Sequence, residues 1–120
     1  ALGFGGNAPP AVANNESWNG SSWTEVNDLN QASRRGAGMG TQPSALVAAG
    51  DDGPALINNT ESWNGTNWTN ENTMNTTRNA ITGSGSQTSG LVSGGGTPSV
   101  SAATEQWHGD GKVTETITTD

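Results

Sequence analysis

The sequence predicts an all-β chain built from one repeated unit of four short antiparallel strands. The first observation is an internal period. Glu16-Ser-Trp-Asn-Gly-Ser-Ser-Trp23-Thr returns as Glu61-Ser-Trp-Asn-Gly-Thr-Asn-Trp68-Thr, and in degraded form as Glu105-Gln-Trp-His-Gly with Val113-Thr behind it. Trp18 and Trp63 lie 45 residues apart, Trp63 and Trp107 44. The second is the lack of any 3.6-residue apolar periodicity in a chain rich in Gly, Asn and Thr, which are poor helix formers. The third is Asn-Gly between apolar segments, a strong hairpin signal.

Each unit reads as four strands in order. The first lies near 35–41 and 79–86, where Arg34 to Gly40 is matched to Thr77 to Gly83; its Gly, Ala and Ser suit a crowded position. The second is the Ala-Leu-Val type at 1–5, 45–49 and 90–94, ending on Gly. The third is the Thr-Glu-Ser-Trp type at 14–18, 59–63 and 103–107. The fourth opens near Trp23, Trp68 and Val113. Asn19-Gly20, Asn64-Gly65 and His108-Gly109 fill the turn between third and fourth, read as type I′ with positive φ at both central residues. Second-to-third connections differ in length and chemistry, as surface loops do. Thr114 to Asp120 alternates and reads as a last strand.

Composition excludes several function classes. The net charge of -7 leaves only Arg34, Arg35, Arg78 and Lys112 as cations, too few and too scattered for a nucleic-acid surface. No apolar run approaches the roughly 20 residues of a membrane-spanning helix. With no Cys, disulfides and thiolate chemistry are excluded.

The apolar strand ending on two glycines, followed by an aromatic and then a Trp, resembles the kelch repeat. Gly5, Gly6, Trp18 and Trp23 carry the resemblance, with Leu29 and Met74 in the slot where such repeats end on an apolar residue. Gly94 and Gly95 keep the glycine pair, whereas Ala49-Gly50 keeps only Gly50; Trp68 keeps the second Trp, and Val113 replaces it. The resemblance implies a β-propeller, with Gly5, Gly6, Trp23, Gly50, Trp68, Gly94 and Gly95 as structural repeat positions. The Asn/Thr/Ser-rich style also resembles kelch-like repeat proteins of phage and environmental sequences, which implies an extracellular or virion-surface setting. In this register residues 1–33 form a three-strand partial blade, 34–76 a full blade and 77–120 a full terminal blade, about two and three-quarter blades. Propellers close with about 4–8 blades, so the partner expected is a second copy completing a ring, or further repeats of a longer chain.

Candidate chemistry is sparse. Glu16, Glu61 and Glu105 share one repeat position and read as structural. His108 reads as a turn residue, and Asp51-Asp52-Gly53 as a solvated turn. Asp110-Gly111 also reads as a turn. A galactose-oxidase-like copper site would need Tyr and Cys, and the chain has neither. No metal, cofactor or catalytic set is expected. The expected role is a non-enzymatic structural or adhesion module whose loops carry recognition. The alternative is a glycan-binding module in which exposed Trp18, Trp63 or Trp107 stacks on sugar rings while Asn19 and Asn64 supply hydrogen bonds.

Overall fold

The computed structural model describes residues 1–8, 10–96, 99–100, 102–109 and 113–114, the last two as backbone only. The Asp110-Gly111 turn, Lys112 and the tail from 115 onward lie outside them. Among the described residues every regular element is a strand. There are eleven: β1 (Leu2–Phe4), β2 (Asn15–Trp18), β3 (Trp23–Val26), β4 (Ala37–Thr41), β5 (Ser44–Asp51), β6 (Leu56–Trp63), β7 (Trp68–Asn70), β8 (Thr82–Ser86), β9 (Ser89–Ser93), β10 (Thr104–His108) and β11 (Val113–Thr114).

They form three antiparallel sheets, each a simple meander. The first is β1-β2-β3, the second β4-β5-β6-β7 and the third β8-β9-β10-β11. Neighbouring strands in sequence pair because their connections are short. Period-2 alternation then gives each sheet two chemically distinct faces. On the second sheet, Gly38, Val47, Glu61 and Trp63 share one face, while Met39, Leu46, Ala48 and Thr60 share the other.

The apolar cores lie between sheets. Leu2, Phe4 and Val26 of the first sheet pack on Ala45, Val47, Trp63 and Trp68 of the second, with Leu29 from the linker. Ala37, Met39, Leu46 and Ala48 of the second sheet pack with Val92 and Trp107 of the third, with Met74 from the next linker. Leu29 and Met74 thus do the same task at successive interfaces. Small residues permit the approach: a Cβ at Gly38 would come within 2.8 Å of the Phe4 ring.

Three sequence expectations are corrected. The Trp-to-Trp connection is a four-residue loop, with Trp18 paired to Trp23 and Trp63 to Trp68, and only Gly20 (φ +100°) and Gly65 (φ +97°) are left-handed in it. Asn19 and Asn64 instead bend the loop through their side chains. The Asn19 Oδ1 accepts from the N–H groups of Ser21 and Ser22, both at 2.9 Å, and Asn64 repeats this with Thr66 and Asn67. Second, the correct match of first strands is Arg34 to Asn79, which make equivalent bridges to Asp51 and Gly96. Gly40 then matches Gly85, both left-handed ahead of the hairpin. Third, β10 runs through His108, which pairs with Ser89 rather than sitting in the turn.

The glycine-pair geometry survives its change of sequence. Gly5, Ala49 and Gly94 have φ of +68°, +57° and +73°, so Ala49 adopts the conformation without being glycine. Gly50 follows at +108°, where a Cβ would lie 2.5 Å from the Arg34 carbonyl oxygen.

Candidate functional site

The repeated polar residues converge on the seams between sheets. Gly6 N–H donates to the Ser33 carbonyl and Gly50 N–H to the Arg78 carbonyl, each at 2.8 Å, tying the end of one apolar strand to the start of the next unit. The Glu61 carboxylate accepts from Asn30 N–H (2.7 Å) and Gln31 N–H (3.0 Å) in the linker preceding its sheet. Glu105 does the same one unit later, accepting from Asn75 N–H (2.7 Å) and the Thr76 hydroxyl (2.9 Å). Both Glu side chains lie in buried residues, and these bonds satisfy linker donors that burial would otherwise leave unpaired. The repeated Glu is therefore a clasp on the preceding linker.

The second seam adds a charge. Arg78, fully buried, donates to Glu105 at 2.8 Å and to the carbonyls of Gly94 and Ala103. One unit earlier its place is held by Ser33, whose hydroxyl reaches the Ala49 carbonyl at 3.1 Å. A second device recurs at the hairpin tips. Gln87 donates to the carbonyls of Ala45 (3.0 Å) and Trp63 (2.6 Å), and its own carbonyl accepts from the Trp107 indole at 2.8 Å. Gln42 stands at the same repeat position and accepts from the Ala1 amino group. The Gln pair was missed in sequence, although its separation of 45 residues is the repeat period.

A polar hub joins all three units at the loop-bearing ends of the apolar strands. Asp51 is a buried strand residue, not the solvated turn residue expected. It accepts from Arg34 Nε (2.6 Å), Arg35 Nε (2.9 Å) and Asn79 Nδ2 (2.9 Å), while Arg34 also donates to Asn7 of the first unit. Burial alone would raise the Asp51 pKa. Hydrogen bonds from Arg34, then Asn79, Arg35 and the Gly53 N–H, outweigh it and hold the carboxyl at about 2.

The Trp residues divide by position. Trp63 (2% exposed) and Trp107 (6%) are packed inside seams and present no ring to a sugar, which corrects the expectation for both. Trp68 is buried against Phe4, ring centroids 5.1 Å apart. Trp23 is 52% exposed, because no sheet covers that side of the first unit among the described residues. Trp18, half-buried, lies beside it. The two pairs are superimposable in form: Trp18–Trp23 and Trp63–Trp68 both have centroids 5.3 Å apart and planes at 46°. Asn19 and Asn64 spend their side-chain oxygens on their own loops. No group of His, Asp or Glu suited to a metal occurs among the described residues, and no helix is long and apolar enough to cross a membrane.

No family model matches the chain, and no curated protein matches it. Among solved structures, that of YjhT superposes on 94% of this chain with a TM-score of 0.73 at 15% identity. The match spans 41% of the YjhT chain, so this chain covers about two fifths of that length. The likeness is one of fold, and with three stacked antiparallel sheets it is consistent with a β-propeller-like architecture.

Proposed function

We propose that this chain is a kelch-like propeller segment acting as a non-enzymatic structural and adhesion module, its loops carrying recognition at a virion or cell exterior. The observation that carries this reading is the Asp51 hub. It fixes Arg34, Arg35, Asn79 and, through Arg34, Asn7, at the base of connections that differ from unit to unit. A constant frame with variable loops on a braced edge is what a recognition platform requires. Glu61, Glu105, Gln87 and Arg78 spend their polar groups within the seams, which favours framework over chemistry as their role.

Glycan binding is the second reading, and exposed Trp23 beside Trp18 is the observation that favours it. Binding to a cell-surface extract and to a glycan array separates the two. Replacing Asp52-Gly53-Pro54-Ala55 by a Gly-Ser linker should abolish adhesion, while Trp23→Ala leaves it intact. Loss of glycan binding in Trp23→Ala alone would transfer the function to the aromatic face.

A further inference from the structure

Three places in the molecule ask for a partner: the groove beside β1, the Asp51 hub, and the open face of the first sheet. The groove, about 330 Å³ and lined by Leu2, Phe4, Gly38 and Gln42, does not specify its occupant. The hub is already satisfied by its own side chains. The open face is different, because the same face occurs twice more with its occupant in place.

Every unit has a receiving face and a leading face. The receiving face carries the clasp Glu and the tryptophans: Glu61, Trp63 and Trp68 on the second sheet, Glu105 and Trp107 on the third. The leading face carries the apolar residue one step along the second strand: Leu2, Leu46 and Leu91. At the first seam Leu2 packs against Trp63 and Trp68. At the second, Leu46 packs with Val92 and Trp107 and is completely buried. Two faces remain: the receiving face of the first sheet, with Glu16 exposed and Trp23 52% exposed, and the leading face of the third, with Leu91 38% exposed.

We infer that the first sheet's Glu16–Trp18–Trp23 face is a docking site for the third sheet of a second copy of this chain, joined head to tail. The inference rests on the reading of the chain as stacked repeat units. The chain's own seams are the argument for the occupant: Leu91 of the copy enters the place over Trp23 that Leu2 takes over Trp68. Such a contact is heterologous, so it builds rings or rows rather than a twofold dimer.

Sedimentation velocity over a concentration series tests this on the 120-residue chain, at salt high enough to screen its net charge of -7. The mass should rise from 12.2 kDa with concentration. Trp23→Asp and Leu91→Asp should each weaken association more than about thirty-fold. Mixed in equal amounts they should recombine into a heterodimer and stop there, since each keeps the face the other lacks. A 12.2 kDa species at every concentration overturns the inference. So does association indifferent to both substitutions, or a mixture that fails to recombine. If Trp23→Asp does not melt cooperatively, Glu16→Arg replaces it as the lesion on that face. The linker variant at 52–55 should assemble normally, so adhesion retained alongside intact assembly counts against the recognition loops alone.

Discussion

The second sheet and the first sheet carry nearly the same third and fourth strands, and the environments of those strands could hardly differ more. Trp63 and Trp68 are 2% and 5% exposed, whereas Trp23 of the equivalent pair is 52% exposed. The ring geometry within each pair is the same, so the pair is set locally by the hairpin. Only its burial is set by the neighbouring sheet. The Glu residues repeat the lesson. Glu61 holds two linker N–H groups, and Glu16, in the same register beside its Trp, is exposed. A motif can therefore be structurally complete before it is energetically employed.

Substitution at the paired positions should break the symmetry most sharply. Trp63→Ala should cost about 3–5 kcal/mol in chemical denaturation, from lost burial plus a cavity. Trp23→Ala should cost under about 1 kcal/mol, since half of the ring is already in water. Equal costs would mean that the first sheet's face is covered in solution at the concentration used.

Next in size is the clasp. Glu61→Gln keeps the shape but supplies one acceptor oxygen for two buried N–H groups, and should cost about 1–3 kcal/mol. Glu16→Gln in dilute protein should be neutral to within about 0.5 kcal/mol. The same measurement at rising concentration should draw the two apart less if the open face becomes occupied.

The acid limb of stability sharpens the contrast at the loop-bearing edge. The folded Asp51 carboxyl is held at about 2 against an ordinary value of 3.8, so the unfolded chain binds more protons between these values. Its stabilising contribution is present in full above that ordinary value and is lost as pH falls through about 2. Asp51→Asn should be less stable at neutral pH, and its deficit should shrink across that window. A deficit independent of pH would remove the hub from the account.

A gain rather than a loss is expected at Ala49, where the second unit departs from the glycine pair of the other two. A left-handed alanine costs about 1–2 kcal/mol in strain, partly offset by the smaller entropy of its unfolded state, so Ala49→Gly should stabilise by about 0.5–1 kcal/mol. Thermal melting of the purified variant checks this, and a lowered midpoint would show that the Ala49 methyl packs usefully.

Much of the framework was legible in residue order. Strand-to-strand pairing followed from short connections and from Trp spacing, and β2, β6 and β10 fall close to the Thr-Glu-Ser-Trp segments. What misled was residue identity taken without geometry. Side-chain identity pairs Arg35 with Arg78 and so Arg34 with Thr77, whereas Arg34 occupies the place of Asn79 and Arg78 that of Ser33. The Arg78 and Ser33 side chains both reach the carbonyl of the residue opening the glycine pair, a likeness of task that no comparison of side-chain types reveals. Asn19 and Asn64 pointed to the right loop for the wrong reason: their oxygens bind backbone N–H groups, and Gly supplies the positive φ.

The sequence by itself determined the repeat, the strand order and the two-faced character of each sheet, because alternation and turn chemistry are local properties of the chain. Tertiary structure decided which copies of a repeated residue are used. Glu61 and Glu16, or Trp68 and Trp23, differ through what lies across the seam, and burial is a property of the neighbour. The physical reason is that a sheet face gains its stabilisation only when another surface removes it from water.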